Sequence, residues 1–183
     1  CRPAYWIERN VDDLILDSIP KTSADVVEYL ELGGNSIVDA TAIDYGRDVR
    51  SVAKIAEKTG VNIIATAGFN KGFLWKSKLT QRLKDLLGDF DTYYDWISQT
   101  DVDDLTRHVI EEVEVGLEGT NFKAGQVKFG TGYNSITPLE EKTIIAVSNA
   151  HHQTKAPIHC HTEAGTMALE QIEILKSQNI NLE

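Results

Sequence analysis

KAGQVKFGTGYN, residues 123–134, places a strand and a tight turn between two helices. Ala124 to Phe129 reads as a short buried strand, apolar at Val127 and Phe129 and closed by the turn residues Gly130-Thr131-Gly132. Helical patterns flank it on both sides. Upstream, Asp101 can cap a helix through Leu105, Val109, Val113 and Leu117. Downstream, Thr137, Pro138 and Glu140 form a capping box with proline at the first helical position, for a helix running to about Thr154.

The same alternation continues outward. A fourth strand, Pro157 to His161, precedes a last helix through Met167, Leu169, Ile172 and Leu175. Toward the start, Ser23 caps a helix through Val26, Val27 and Leu30 that Gly33-Gly34 stops. A short apolar run, Ile37 to Thr41, leads to an amphipathic helix over 47–59 with Val49, Val52, Ile55 and Ala56 on one face. Val61 to Thr66 reads as a buried strand, followed by a long loop holding Phe69, Phe73 and Trp75, and then by two short helical pieces. Nearly all-apolar strands alternating with helices indicate α/β architecture, a parallel sheet covered on both faces. No GxGxxG or P-loop pattern follows any strand, which weakens a nucleotide-binding doubly wound sheet. Asp39, Thr41, Thr66, Lys128 and His161 fall at strand carboxyl ends, where (β/α) barrels keep their sites. A complete barrel has eight strands and typically ~250 residues. Four βα units in 183 residues, taken as a single domain over 1–183, make half a barrel or a smaller α/β fold.

Charge excludes some partners. The formal net charge of −10, with Lys and Arg scattered along helices, lacks the clustered basic face of a nucleic-acid reader. No apolar run approaches the ~20 residues that cross a bilayer, and there is no charged-then-apolar leader. Two cysteines, Cys1 and Cys160, form neither a disulfide framework nor a CxxC pair, so both are expected as reduced thiols of a cytoplasmic protein.

Three readings of Lys128 stand side by side. Its methylenes can pack on the rim while the ammonium reaches solvent. It can form a Schiff base, with Gly130-Thr131-Gly132 cradling a phosphate, as in aldolases acting on sugar phosphates. Or its neutral amine can add carbon dioxide to give a carbamate, an anionic oxygen ligand held by nearby metal dications. In PIHCHTEAG, residues 157–165, His159 and His161 are two apart on one strand and face the same side. Neutral imidazoles there suit Zn²⁺, Co²⁺, Mn²⁺ or Fe²⁺, although two histidines do not complete a metal site. His151 and His152 end an exposed helix and read as surface residues; His108 is packed or solvated on an amphipathic helix.

KAGQVKFGTG, residues 123–132, followed by APIHCHTEAGTMALEQIEIL, residues 156–175, resembles the phosphotriesterase-like branch of the amidohydrolase superfamily. SIVDATAIDYGRDVRSVAKIAEKTGVNIIATAGF, residues 36–69, resembles that family's second and third strands, so the likeness extends from about Arg2 to Glu183. The resemblance implies a (β/α)8 TIM barrel with two divalent metal ions, zinc first and cobalt, manganese or iron as alternatives, at its carboxyl mouth. Carboxylated Lys128 would bridge the metals and His161 would bind one of them, with His159 one layer deeper. It further implies a metal-activated hydroxide that hydrolyses a phosphotriester, lactone or related ester. Phe69, Trp75 and Tyr133 would be pocket walls, or ordinary loop packing. Lactonases of the family carry a tyrosine soon after the third strand, where this chain has Gly68-Phe69-Asn70-Lys71, which points away from that type of lactonase. The family's first-strand HxH, its sixth-strand histidine and its eighth-strand aspartate are not among these residues. The chain therefore resembles strands two to five with both ends removed, and by itself is expected to be inactive. The expected partners are a small-molecule ester and, through two open sheet edges, a second copy in a homodimer, with no nucleic acid and no membrane.

Overall fold

A computed structural model describes residues 18–182; Cys1 and the start of the family likeness lie outside them. In chain order the elements are α1 (Ile19–Glu31), β1 (Ser36–Val38), α2 (Val49–Thr59), β2 (Asn62–Ile64), β3 (Thr66–Gly68), α3 (Gln81–Leu87), α4 (Tyr93–Gln99), α5 (Val102–Glu114), β4 (Gln126–Thr131), α6 (Pro138–Thr154), β5 (Ile158–Thr162) and α7 (Ala168–Ser177). Among the described residues no helix is long and apolar enough to cross a membrane.

The residues divide into two compact units. One holds the residues up to Val38 together with Asp48–Ile63, and the other holds Asp39–Arg47 together with the residues from Ile64 on. In the first, α1 and α2 pack through Val26, Ile55 and Val61, with Ile19, Leu30, Ile37 and Ile63 around them. Helix α1 begins earlier than the Ser23 cap predicts. Ser18 is the N-cap, Pro20 stands in the first turn, where its fixed φ and missing N–H cost nothing, and the Ser23 hydroxyl donates back to the Ile19 carbonyl at 2.7 Å. Helix α2 is capped by Asp48 and ended by Gly60 at φ 79, the left-handed conformation that glycine adopts without penalty.

The second unit is built on a parallel sheet ordered β3-β4-β5, with Gly68 opposite Lys128, Lys128 opposite His159 and Gly130 opposite His161. The single strand expected over 61–66 divides at Ala65: β2 pairs with β1 in a separate two-stranded sheet, and β3 pairs with β4. The described strands do not close into a barrel. Every residue of β4 is buried, Val127 and Phe129 completely. Helix α6, capped by the Thr137–Glu140 box as expected, packs on β4 and α5 and buries Ile144, Ala146, Val147 and Ala150. It is thus a core helix, and His151 is half-buried at its end, bonded to the Ala156 carbonyl at 2.8 Å.

Helix α5 buries Leu105, Val109 and, one turn on, Glu112. Its apolar stripe therefore carries a carboxylate into the interior, which demands a partner. Arg47 supplies it. The guanidinium pairs with Glu112, donates to Glu118 Oε1 at 2.9 Å and to the Thr66 carbonyl at 2.7 Å, and Arg82 closes the other side of Glu118. Glu118 holds this position at φ 50, a conformation that costs a non-glycine residue of order 1 kcal/mol or more and is kept only where the surroundings require it. His108 lies edge-on to Trp96 at 5.1 Å with its pKa lowered by burial, so two arginines balance two glutamates. Removing one partner of such a set leaves a buried uncompensated charge, at about 3–5 kcal/mol. Arg47→Met should accordingly lower unfolding stability by about that amount in urea titrations, whereas Arg107→Ala, which breaks an exposed pair with Asp104, should cost under about 1 kcal/mol. Equal losses in the two variants would rule out a structural role for the buried set.

Candidate active site

In a parallel sheet, register partners project to the same face. Lys128 therefore shares a face with His159 and His161, while Val127 and Phe129 turn to the opposite one. Two glycines make room for the loops above. Gly68 has φ +95, and a Cβ there would meet the Lys128 carbonyl at 2.3 Å; a Cβ on Gly130 would press on the Lys71 amide at 3.0 Å. The segment after β3 thus runs directly over the end of β4.

Lys128 is buried, and its ammonium donates to the Ala40 carbonyl at 2.7 Å. Burial pushes its pKa down, Asp44 and Asp39 oppose that, and Lys71 adds to it. The rim reading, with the amine in solvent, does not hold for this residue. His161 is half-buried, its Nε2 3.0 Å from Glu163 Oε2, and burial lowers its pKa against the pull of Glu163. Its carbonyl accepts from Gln171 of α7 at 2.9 Å, and the same amide reaches Thr131 at 2.6 Å, so the last helix fixes the end of β5 to the end of β4. His159 is exposed on the same face, its pKa lowered by burial and by Lys128 and His161.

Sequence reasoning missed Asp44, Lys71 and Glu163. Each is a charged residue shortly after the carboxyl end of a strand, which is the signal that would have found them. The Lys71 ammonium pairs with Glu163, both nearly buried. Asp44 is buried; its Oδ2 accepts from the Asn70 amide at 2.7 Å and from Trp75 Nε1 at 2.6 Å, while Oδ1 has no hydrogen-bond partner. Asp39 binds locally, accepting from the Thr41 amide and hydroxyl, and Thr66 opens β3 rather than ending a strand, with its hydroxyl on the Asp39 carbonyl. Phe69 and Trp75 are fully buried, Phe69 against Trp96 and Trp75 on Asp44, so their rings support the loop from beneath. Tyr133 is exposed on the turn after β4. Among the described residues no three His, Cys, Asp or Glu side chains converge as a metal-binding group.

Burial pushes Asp44 up to about 6, against the hydrogen bonds from Asn70 and Trp75 and the charge of Lys128. A carboxyl whose folded pKa lies above its unfolded 3.8 favours the native state most at low pH, and that contribution is lost as pH rises through about 6. Two units correspond to about 3 kcal/mol. Asp44→Asn keeps one acceptor oxygen for Asn70 and Trp75 and removes the charge. In metal-free protein its stability relative to the parent should rise by about 2 kcal/mol between pH 4 and pH 7, read by urea unfolding at each pH; a difference independent of pH would contradict a buried titrating carboxyl.

Comparison with known proteins adds the ancestry. The family described as "Phosphotriesterase family" matches residues 9–183. The crystal structure of a lactonase from Listeria monocytogenes superposes with a TM-score of 0.93 at 65% identity, covering 100% of this chain and 55% of that one. A phosphotriesterase homology protein of Escherichia coli (strain K12) is 29% identical over 175 residues, 95% of this chain and 54% of its own length. A phospho-furanose lactonase of Mycoplasmopsis agalactiae is 32% identical over 170 residues, 86% of this chain and 44% of its own. The chain spans about half the length of these relatives.

Proposed function

The chain belongs to the phosphotriesterase family, and from that premise we propose a divalent-metal-dependent hydrolase of ester-type bonds, with lactones first among its substrates and phosphoesters second. The observation that carries the reading is the placement of Lys128 and His161 on one face of the adjacent parallel strands β4 and β5, Lys128 in the middle of β4 opposite His159 and His161 near the end of β5. The proposed architecture is a (β/α)8 barrel of which β3-β4-β5 is a part. Preference for lactones rests on the names of the Listeria and Mycoplasmopsis relatives, and it reverses the expectation drawn from Gly68-Phe69-Asn70-Lys71.

The donor set fits a pair of borderline dications as far as it goes. An imidazole and a lysine whose burial favours the neutral amine stand at the same mouth, and His159 is beside them. Further ligands would come from outside the described residues. Lys128 would act as its carbamate: the Nζ lone pair forms a bond to the carbon of CO₂, and the nitrogen's proton leaves to solvent. The carbamate oxygens and one nitrogen of His161 would then hold the two metals. When bound, the metals supply Lewis acidity, lowering the pKa of a water and polarising the substrate oxygen. The Phe69–Trp75 loop would form the support under the mouth, and Tyr133, exposed beside it, would be the aromatic free to touch substrate.

Elemental analysis of the intact protein should find about two divalent ions per chain, most of them lost in Lys128→Ala. Hydrolysis of a panel of furanose lactones, with and without phosphate, should fall by at least about 10–100-fold in the same variant, which lacks a residue that would hold the metals. Intact protein without metal would remove this reading, and trapping of Lys128 by borohydride with a carbonyl substrate would replace it with Schiff-base chemistry.

A further inference from the structure

We propose that Lys71 and Glu163 act as a clasp that sets the ring nitrogen His161 presents to the site. This rests on His161 being a metal ligand, as proposed above. Glu163 stands two residues beyond His161 in the short 3-10 turn Glu163–Gly165, and its Oε2 lies 3.0 Å from His161 Nε2. A carboxylate oxygen has no proton to give, so Nε2 must carry the hydrogen of this bond. In the neutral imidazole needed for metal ligation, Nδ1 is then the acceptor. Metal-ligating histidines commonly hold their other N–H on a carboxylate, which fixes both tautomer and ring orientation.

Lys71 makes the arrangement specific. Its ammonium pairs with the same Oε2, reaching Glu163 from the loop after β3, which passes over the end of β4. That crossing is possible because Gly130 has no Cβ to push the Lys71 amide away. The loop is anchored at Asn70, whose amide donates to buried Asp44 and whose side-chain oxygen accepts from the Lys71 amide at 3.0 Å. On the β5 side, Ala164 is held at φ 49, and the Thr166 hydroxyl donates to the Glu163 carbonyl at 2.8 Å. Both ends of the ion pair are therefore held by their own backbones. Lys71 and Glu163 are positioning residues; they act on the site through His161.

The test uses the intact protein. Long-range proton–nitrogen NMR on metal-free, histidine-labelled protein should place the His161 proton on Nε2, and Glu163→Ala should shift the ring toward the other tautomer. Competition of Zn²⁺ against a chelating dye should show affinity falling about 10–100-fold in Glu163→Ala. Lys71→Met should fall in the same direction, with Lys71→Arg and Glu163→Gln recovering part of the loss. A proton on Nδ1 in the parent protein would overturn the clasp, as would Zn²⁺ affinity unchanged in both variants. A rise in affinity in Lys71→Met would also overturn it, since that marks Glu163 as a ligand released from its lysine. Should Glu163→Ala not fold, Glu163→Gln and Lys71→Met carry the same measurements. His161→Ala separates the two proposals: Zn²⁺ retained in that variant removes His161 from the ligand set, whereas the tautomer result tests the clasp alone.

Discussion

The parallel pairing of β4 with β3 and β5 is the constraint from which the rest of the second unit follows. Its backbone hydrogen bonds set Gly68, Lys128 and His159 in one row and Gly130 with His161 in the next. Because the side-chain period of a strand is two, a slip of one residue would turn Lys128 into the helix-covered side and bring Phe129 to the mouth. Complete burial of Val127 and Phe129 under α6 opposes such a slip. Hydrophobic packing on one face thereby determines the chemistry available on the other.

Around that sheet the interior is unusually charged, and the charges are arranged by two different means. Arg47, Glu112, Glu118 and Arg82 neutralise one another, and the network joins the segment after β1, helix α5 and the turn at Leu117–Gly119. Asp44 is handled otherwise. It has two donors and a nearby lysine, yet keeps one oxygen without a partner, and burial raises its pKa. A paired set of this kind makes its geometry costly to lose. An incompletely satisfied carboxyl instead leaves the native state less stable at neutral pH than the same fold with an amide there.

Besides the buried rings of Phe69 and Trp75, single hydrogen bonds between elements hold the loops at the carboxyl ends of the strands. Glu140 closes its own helix cap on Thr137 and also accepts from the Gly72 amide at 2.9 Å. Gln171 ties Thr131 to the His161 carbonyl. Gly68 and Gly130 are needed because backbone passes where a side chain would stand. These contacts tie the loops after β3 and β5 to the end of β4 and the start of α6.

The alternation of strand and helix, the α6 cap at Thr137–Glu140, the position of His161 near the end of β5 and the family are legible in the sequence alone, whereas Lys128, expected to end its strand, lies in the middle of β4. Each follows from periodicity or from a motif contained within about a dozen residues, where local chemistry suffices. The division of 61–66 between two sheets, the burial of Phe69 and Trp75, and the partners of Arg47, Asp44, Lys71 and Glu163 were decided only by tertiary structure. Arg47 meets Glu112 and Glu118 across 65 and 71 residues, and Lys71 meets Glu163 across 92. No periodicity spans such separations. A charged residue read alone is most cheaply placed in solvent, and it becomes an interior partner only when the fold has brought its counter-charge to the same point.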